Sequence, residues 1–305
     1  MTNLVATLLS KNAISSVQRS AWTQVLNSLL ISDFKISPLS DRAEDYFFTL
    51  PAQVELATLK NQINITSRQH DLDIAVQVND KFRKGRRLVV FDMDSTLIQQ
   101  EVIDMIAAYA DVEDKVSAIT ALAMNGEIDF DESLRRRASL LEGVTSSVFE
   151  QLKSKILITR GAKQLCNALK KEGYVLAVLS GGFIPLASWL KDQLGLDYAF
   201  ANSLQLSYDG LFLTGQVEGE IVNAERKAHL LRHIAELEDI ELRASVAVGD
   251  GANDLVMMHT AGFGIAFNAK PIVQDKAPAR LNSSTLQDIL YYLGYSLEEQ
   301  AKLIQ

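Results

Sequence analysis

Two carboxylates set two residues apart, Asp92 and Asp94, end the run Leu88-Val89-Val90-Phe91. A continuous apolar run of this kind reads as a strand buried on both faces of a parallel sheet. Ligands on such sheets collect beyond the carboxyl ends of the strands. If the chain turns there, both side chains point toward one pocket; without chemistry the stretch is an Asp/Ser/Thr-rich turn. Three further places have the same flavour. Ser180-Gly181-Gly182 follows the apolar Val175–Leu179, and glycines there let backbone N–H groups approach a ligand. Lys227 shares a helical stripe with Leu230, Leu231 and Ile234, so it either snorkels outward or serves a site that wants positive charge. Gly249-Asp250-Gly251-Ala252-Asn253-Asp254 puts two more carboxylates directly after the strand-like Ser245–Val248.

Together these groups suit phosphoryl transfer through a carboxylate. A phosphate monoester needs its charge neutralised, a positioned nucleophile and a protonated leaving oxygen. Asp92 is placed to attack phosphorus, and Asp94 to protonate the leaving alkoxide and later deprotonate water. Lys227 and the Ser180 hydroxyl would hold phosphoryl oxygens. With one cysteine and four histidines in the chain, hard oxygen ligands favour Mg2+ over zinc or copper.

Positioning these groups requires strands that alternate with helices. Leu88–Phe91, Val175–Leu179, Ser245–Val248 and Phe263–Phe267 are the strand candidates, with helices between them, which predicts a doubly wound parallel α/β sheet over 87–305. Residues 101–157 carry helical periodicity without a clear strand and read as an inserted helical cap. Leu204 to Val217 alternates around Asp209-Gly210, a hairpin signal. Residues 1–80 differ: Tyr46–Leu50 and Ile74–Val78 read as strands and Gln53–Ser67 as a helix, a small α+β domain. The charged stretch Asn79–Arg87 reads as a solvated linker.

Asp92-Met93-Asp94-Ser95-Thr96, Ser180, Lys227 and Gly249–Asp254 match, in order, the four motifs of the haloacid dehalogenase superfamily, and within it the chain resembles the phosphoserine phosphatases. The resemblance covers roughly Arg87 to the C-terminus. It implies a haloacid dehalogenase-like core with a cap inserted after the first motif. It also implies Mg2+ held by the Asp92 carboxylate, the Asp94 backbone carbonyl and Asp250, with Asp254 orienting the metal's water shell.

The cap should select the substrate. A helix over Phe130–Leu141 puts Arg137 in the stripe of Phe130, Leu134 and Leu141, with Arg135 and Arg136 on other faces. A salt bridge inside the cap is the competing role for Arg137. Glu101 opens the helix after the first motif and shares a face with Met105 and Ala108; a glutamate is also favourable in any first helical turn. By the resemblance, Glu101 binds the amino group and Arg137 the carboxylate of serine. Met124 and Phe130 wall the pocket, and Ser180, Gly181, Lys227 and Asn253 contact substrate. The implied reaction is hydrolysis of O-phospho-L-serine to serine and phosphate through an aspartyl-phosphate, the last step of serine biosynthesis. The N-terminal domain could be of the amino-acid-binding regulatory type, or serve stability or oligomerisation.

The net charge of −8 argues against a nucleic-acid or anionic-membrane surface, and no apolar run approaches spanning length. No basic segment leads into an apolar core at the N-terminus, and Cys166 alone allows no internal disulfide. The expectation is a cytoplasmic enzyme with a small-molecule partner, with a homodimer left open. Two other readings remain. A phosphotransferase would use the same residues with another alcohol as acceptor, and an acceptor test separates it. A non-catalytic amino-acid sensor would have no need of Asp92, Asp94, Lys227 and Asp250 together.

Overall fold

The computed structural model describes residues 2–304; the side chain of Met124 lies outside the described residues. The chain begins with β1 (Thr2–Ser10), α1 (Ser16–Ser28), β2 (Phe34–Pro38), β3 (Ala43–Leu50), α2 (Leu56–His70) and β4 (Leu72–Val78). These strands form an antiparallel sheet in the order β2-β3-β1-β4. Helix α1 starts at a capping box in which Ser15 accepts from the Gln18 N–H and Gln18 bonds back to the Ser15 N–H. Leu4, Leu8, Tyr46, Phe48 and Ile74 pack on Trp22, Leu26 and Leu59 of the two helices. The opposite sheet face, through Leu9, Ala43 and Ala75, joins the hydrophobic core of the larger unit.

The expected solvated linker is instead a buried joint. Phe82, Arg83 and Arg86 are buried. Arg83 donates to Asp45 (2.7 Å) and Thr7 (3.0 Å) of the N-terminal sheet. Arg86 reaches Gln77 on one side and the carbonyls of Arg243 and Ser245 on the other. The charge run looked solvent-facing because its carboxylate and amide partners are distant in sequence, and a buried charge needs such partners.

The larger unit is a seven-stranded sheet built from β5 (Leu88–Phe91), β6 (Val175–Phe183), β7 (Tyr198–Leu206), β8 (Leu213–Glu218), β9 (Ser245–Gly249), β10 (Phe263–Phe267) and β11 (Ala279–Leu281). Its order is β11-β10-β9-β5-β6-β7-β8, parallel except for β8, which returns antiparallel to β7. Successive β5 residues face opposite layers. Val89 and Phe91 join the core containing α7 (Ala162–Lys171) and α8 (Ile184–Leu194). Leu88 and Val90 join the core under α9 (Ala224–Leu237) and α10 (Leu255–Thr260). Burial on both faces explains why the strand reads as an unbroken apolar run.

Because β6 lies on one side of β5 and β9 on the other, the winding direction reverses at the end of β5, which opens a crevice there. Between β5 and β6 the chain forms α3 (Val102–Tyr109), α4 (Glu113–Met124), α5 (Phe130–Ser139) and α6 (Val148–Lys153), and α3 and α5 line that crevice. No helix among the described residues is long and apolar enough to cross a membrane.

Candidate active site

Asp92 leaves β5 as the chain enters a tight turn over Met93–Leu97, where Ser95 takes a left-handed conformation (φ 54°). Its Oδ1 accepts from the Met93 N–H (2.8 Å) and from Lys227 Nζ (2.7 Å). Oδ2 has no hydrogen-bond partner among the described residues and is the atom left for chemistry. Lys227 does not snorkel: it is 0% exposed and pairs also with Asp254 Oδ1 at 2.7 Å. Asp254 Oδ2 accepts from the Gly251 N–H (3.0 Å), so both its oxygens are engaged by protein donors. Gly249 makes room for this arrangement, since a Cβ there would lie 2.3 Å from Asp254 Oδ2.

Burial, and then the negative charge of Asp254, push Asp92 well above the usual carboxylate range, against the pull of Lys227. Asp94 is likewise raised well above the usual carboxylate range, by burial and then by Glu101. Its Oδ2 accepts a weak bond from the Val102 N–H (3.3 Å), and its Oδ1 is buried with no partner. Burial of this kind favours the protonated form of a carboxyl over its anion. Burial and Asp254 also lift Asp250 to about 7, although Thr96 Oγ1 donates to it at 3.1 Å.

One buried ammonium thus serves a surplus of carboxylates. Asp92, Asp250 and Asp254 bring oxygens within 4.8 Å of one another. An all-oxygen donor set, an orphaned oxygen on Asp94 and uncompensated negative charge fit a hard divalent cation.

The cavity over Asp92 holds about 140 Å3, room for a small metabolite. Asp94, Asp250, Asn253 and Gly181 form its floor region, and Glu101, Phe130 and Arg137 reach it from the cap side. Glu101 is the N-cap of α3 rather than part of its first turn, makes no side-chain cap bond, and accepts from the Ser95 hydroxyl at 2.6 Å. Arg135 and Arg136 are exposed, whereas Arg137 is half-buried. Among the described residues Arg137 has no carboxylate at ion-pair distance; its Nε donates to the Ser133 carbonyl at 3.3 Å. Burial lowers its pKa, with Asp104 and Glu101 opposing. The intra-cap salt bridge that competed for this residue is therefore not made; it is Arg136 that pairs with Glu132.

Ser180 is fully buried, and its Oγ accepts the Gly182 N–H (2.8 Å), so that amide is committed within the turn. Gly181 lies against the Phe130 ring: an added Cβ would be 3.0 Å from it. The fourth cap residue, Met124, falls outside the described side chains. Sequence reasoning missed Thr96 and Gly182. Thr96 sits inside the first motif but was given no role, and Gly182 is needed because a Cβ there would lie 3.2 Å from Asp94 Oδ2. A larger cleft of about 670 Å3, lined by Lys11, Arg42, Asp73 and Arg280, lies between the N-terminal domain and the core, away from these groups.

Comparisons with known proteins agree with this geometry. A phosphoserine phosphatase of Saccharomyces cerevisiae is 48% identical over 86% of this chain and 85% of its own length. A solved haloacid dehalogenase family hydrolase from Salmonella enterica serovar Typhi superposes with a TM-score of 0.80 at 30% identity, over 95% of this chain and 98% of that one. A structure of a phospho-aspartyl intermediate analogue of phosphoserine phosphatase matches with a TM-score of 0.63 at 47% identity, over 68% of this chain and 98% of that one. The model of the haloacid dehalogenase-like hydrolases matches residues 86–262, which span β5 and Asp92 at one end and the Asp250–Asp254 loop at the other. The chain belongs to the haloacid dehalogenase-like hydrolase family.

Proposed function

We propose that this protein is a Mg2+-dependent phosphatase that hydrolyses O-phospho-L-serine to L-serine and phosphate, which would be the last step of serine biosynthesis. The observation that carries the reading is the contrast between two neighbouring carboxyls. Asp92 has one oxygen tied to Lys227 and the other without a partner among the described residues, while Asp94 beside it keeps a buried Oδ1 that no donor meets.

In the first half-reaction Asp92 Oδ2 attacks phosphorus, the ester P–O bond breaks, and Asp94 gives its proton to the departing serine oxygen. This yields an aspartyl-phosphate on Asp92 and an ionised Asp94. In the second, Asp94 takes a proton from water as that water attacks phosphorus, which releases phosphate and restores both residues. Lys227 keeps Asp92 oriented, and the Ser180 hydroxyl, whose proton is not used by Gly182, is free to donate to a phosphoryl oxygen. Mg2+, held by the Asp92 carboxylate, the Asp94 carbonyl and Asp250, with Asp254 behind them, would supply charge neutralisation at the phosphoryl group.

At the other end of the cavity, Arg137 offers a cation that no carboxylate among the described residues pairs with, and Glu101 offers an anion. That pair suits a zwitterionic amino-acid head, and Phe130 would close the wall. Phosphate release from a panel of phosphomonoesters, with Mg2+ and with chelator, tests the reading. A metal-dependent preference for O-phospho-L-serine over sugar phosphates supports it; equal rates across the panel would remove the substrate assignment.

A further inference from the structure

Ser180, Gly181 and Gly182, expected as a turn after the strand, lie inside β6 at an irregularity in the sheet. Strands β6 and β7 pair through Leu179 and Phe200 and resume at Phe183 and Asn202, so β6 advances four residues where β7 advances two. Extra residues in one strand break the ladder and leave backbone groups without strand partners. Here the Gly181 carbonyl is satisfied by Asn202 Nδ2 at 2.8 Å. Asn202 is 1% exposed, and its Oδ1 accepts the Val222 N–H, also at 2.8 Å. With a donor on one side and an acceptor on the other, only one orientation of the amide satisfies both.

Val222 immediately precedes Asn223, the N-cap of α9, whose Oδ1 accepts the Arg226 N–H (3.0 Å) and whose carbonyl accepts the Lys227 N–H (2.9 Å). A single buried amide therefore links the bulge lining the cavity to the first turn of the helix that presents Lys227. We propose that Asn202 is a positioning residue for phosphoryl transfer: it touches no substrate, and it sets the spacing between the Ser180–Gly182 bulge and the Lys227 ammonium. The inference rests on the phosphatase reading for its chemistry but not on the identity of the alcohol.

The test compares Asn202→Leu and Asn202→Asp with Leu204→Ala, a buried change farther along the same strand. Each is assayed per folded molecule on O-phospho-L-serine and on 4-nitrophenyl phosphate, so the second ester reads the inference even where phosphoserine proves not to be the substrate. Both Asn202 variants are expected to lose kcat by roughly ten- to a hundred-fold on both esters, with KM for each moving far less. Leu204→Ala should lower Tm and keep its kcat. If Asn202→Leu fails to fold, Asn202→Ser, which leaves room for a bridging water, replaces it. An unchanged kcat per folded molecule in the Asn202 variants would make the residue merely structural. A loss confined to phosphoserine would move it to substrate recognition. Either result overturns the inference.

Discussion

Lys227 Nζ stands 2.7 Å from Asp92 Oδ1, with the two side chains 0% and 7% exposed. It is also the same distance from Asp254. Removing one partner of a buried ion pair strands the other charge, at a cost of about 3–5 kcal/mol. Lys227→Met, which keeps the stem but not the charge, is expected to lose stability of that order in denaturant titrations and to lose turnover. A variant as stable as the parent would show that the ammonium does not hold the cluster together.

Arg137 lines the cavity with no carboxylate at ion-pair distance among the described residues. Arg137→Ala should lower kcat/KM for O-phospho-L-serine by ~30-fold or more, as expected for a lost charged contact at a partly desolvated site. The same variant should stay within about threefold of the parent on 4-nitrophenyl phosphate, which has no carboxylate to bind. Parallel losses on both esters would assign Arg137 to cap structure.

Gly182 has backbone geometry open to other residues, yet its missing Cβ faces Met93 Cε at 3.0 Å, Ser180 Oγ at 3.1 Å and Asp94 Oδ2 at 3.2 Å. Gly182→Ala must shift one of these neighbours, and displacement of Asp94 by a fraction of an ångström is enough to hurt proton transfer. The expected result is a folded protein with kcat reduced by roughly tenfold or more. Wild-type kcat would mean that the turn yields without moving Asp94.

Metal binding should appear in stability as well as in rate. A cation that binds only the folded state raises Tm with its concentration. The crowding of Asp92, Asp250 and Asp254 makes the metal-free site self-repelling. We expect Mg2+ added after chelation to raise Tm and restore activity, and Asp250→Asn to lose most of the Tm shift. A shift that survives unchanged in Asp250→Asn would place the cation elsewhere.

Part of the site could be read from the sequence because Asp92 and the Asp250 loop directly follow strands buried on both faces. Asp92 and Asp250 are announced by the apolar runs before them. Lys227 was marked by its place on an apolar stripe, but the stripe could not say whether the side chain snorkels; only Asp92 and Asp254 on other segments decide that. Strand β1 went unread because it is the inner strand of its sheet, covered on one face by helices and on the other by the core. The resulting run of buried residues lacks the alternation that marks a half-exposed strand. The three residues of β11 carry too little pattern to be seen at all. Helix α5 ends at Ser139 rather than Leu141, a difference within the fraying of a last turn. Asn202 gave no signal, since one asparagine in a strand acquires meaning only from the register that sets it against the bulge.

If Asp92 carries the phosphoryl group during turnover, that group can be trapped on it. The enzyme would be mixed with excess O-phospho-L-serine and Mg2+, quenched in acid within the first turnover, digested and mapped by mass spectrometry. One added phosphoryl group is expected on the peptide containing Asp92, absent in folded Asp92→Asn, which should also be inactive. Turnover with no phosphorylated peptide, a phosphoryl group on another residue, or full activity in Asp92→Asn would contradict that role for Asp92.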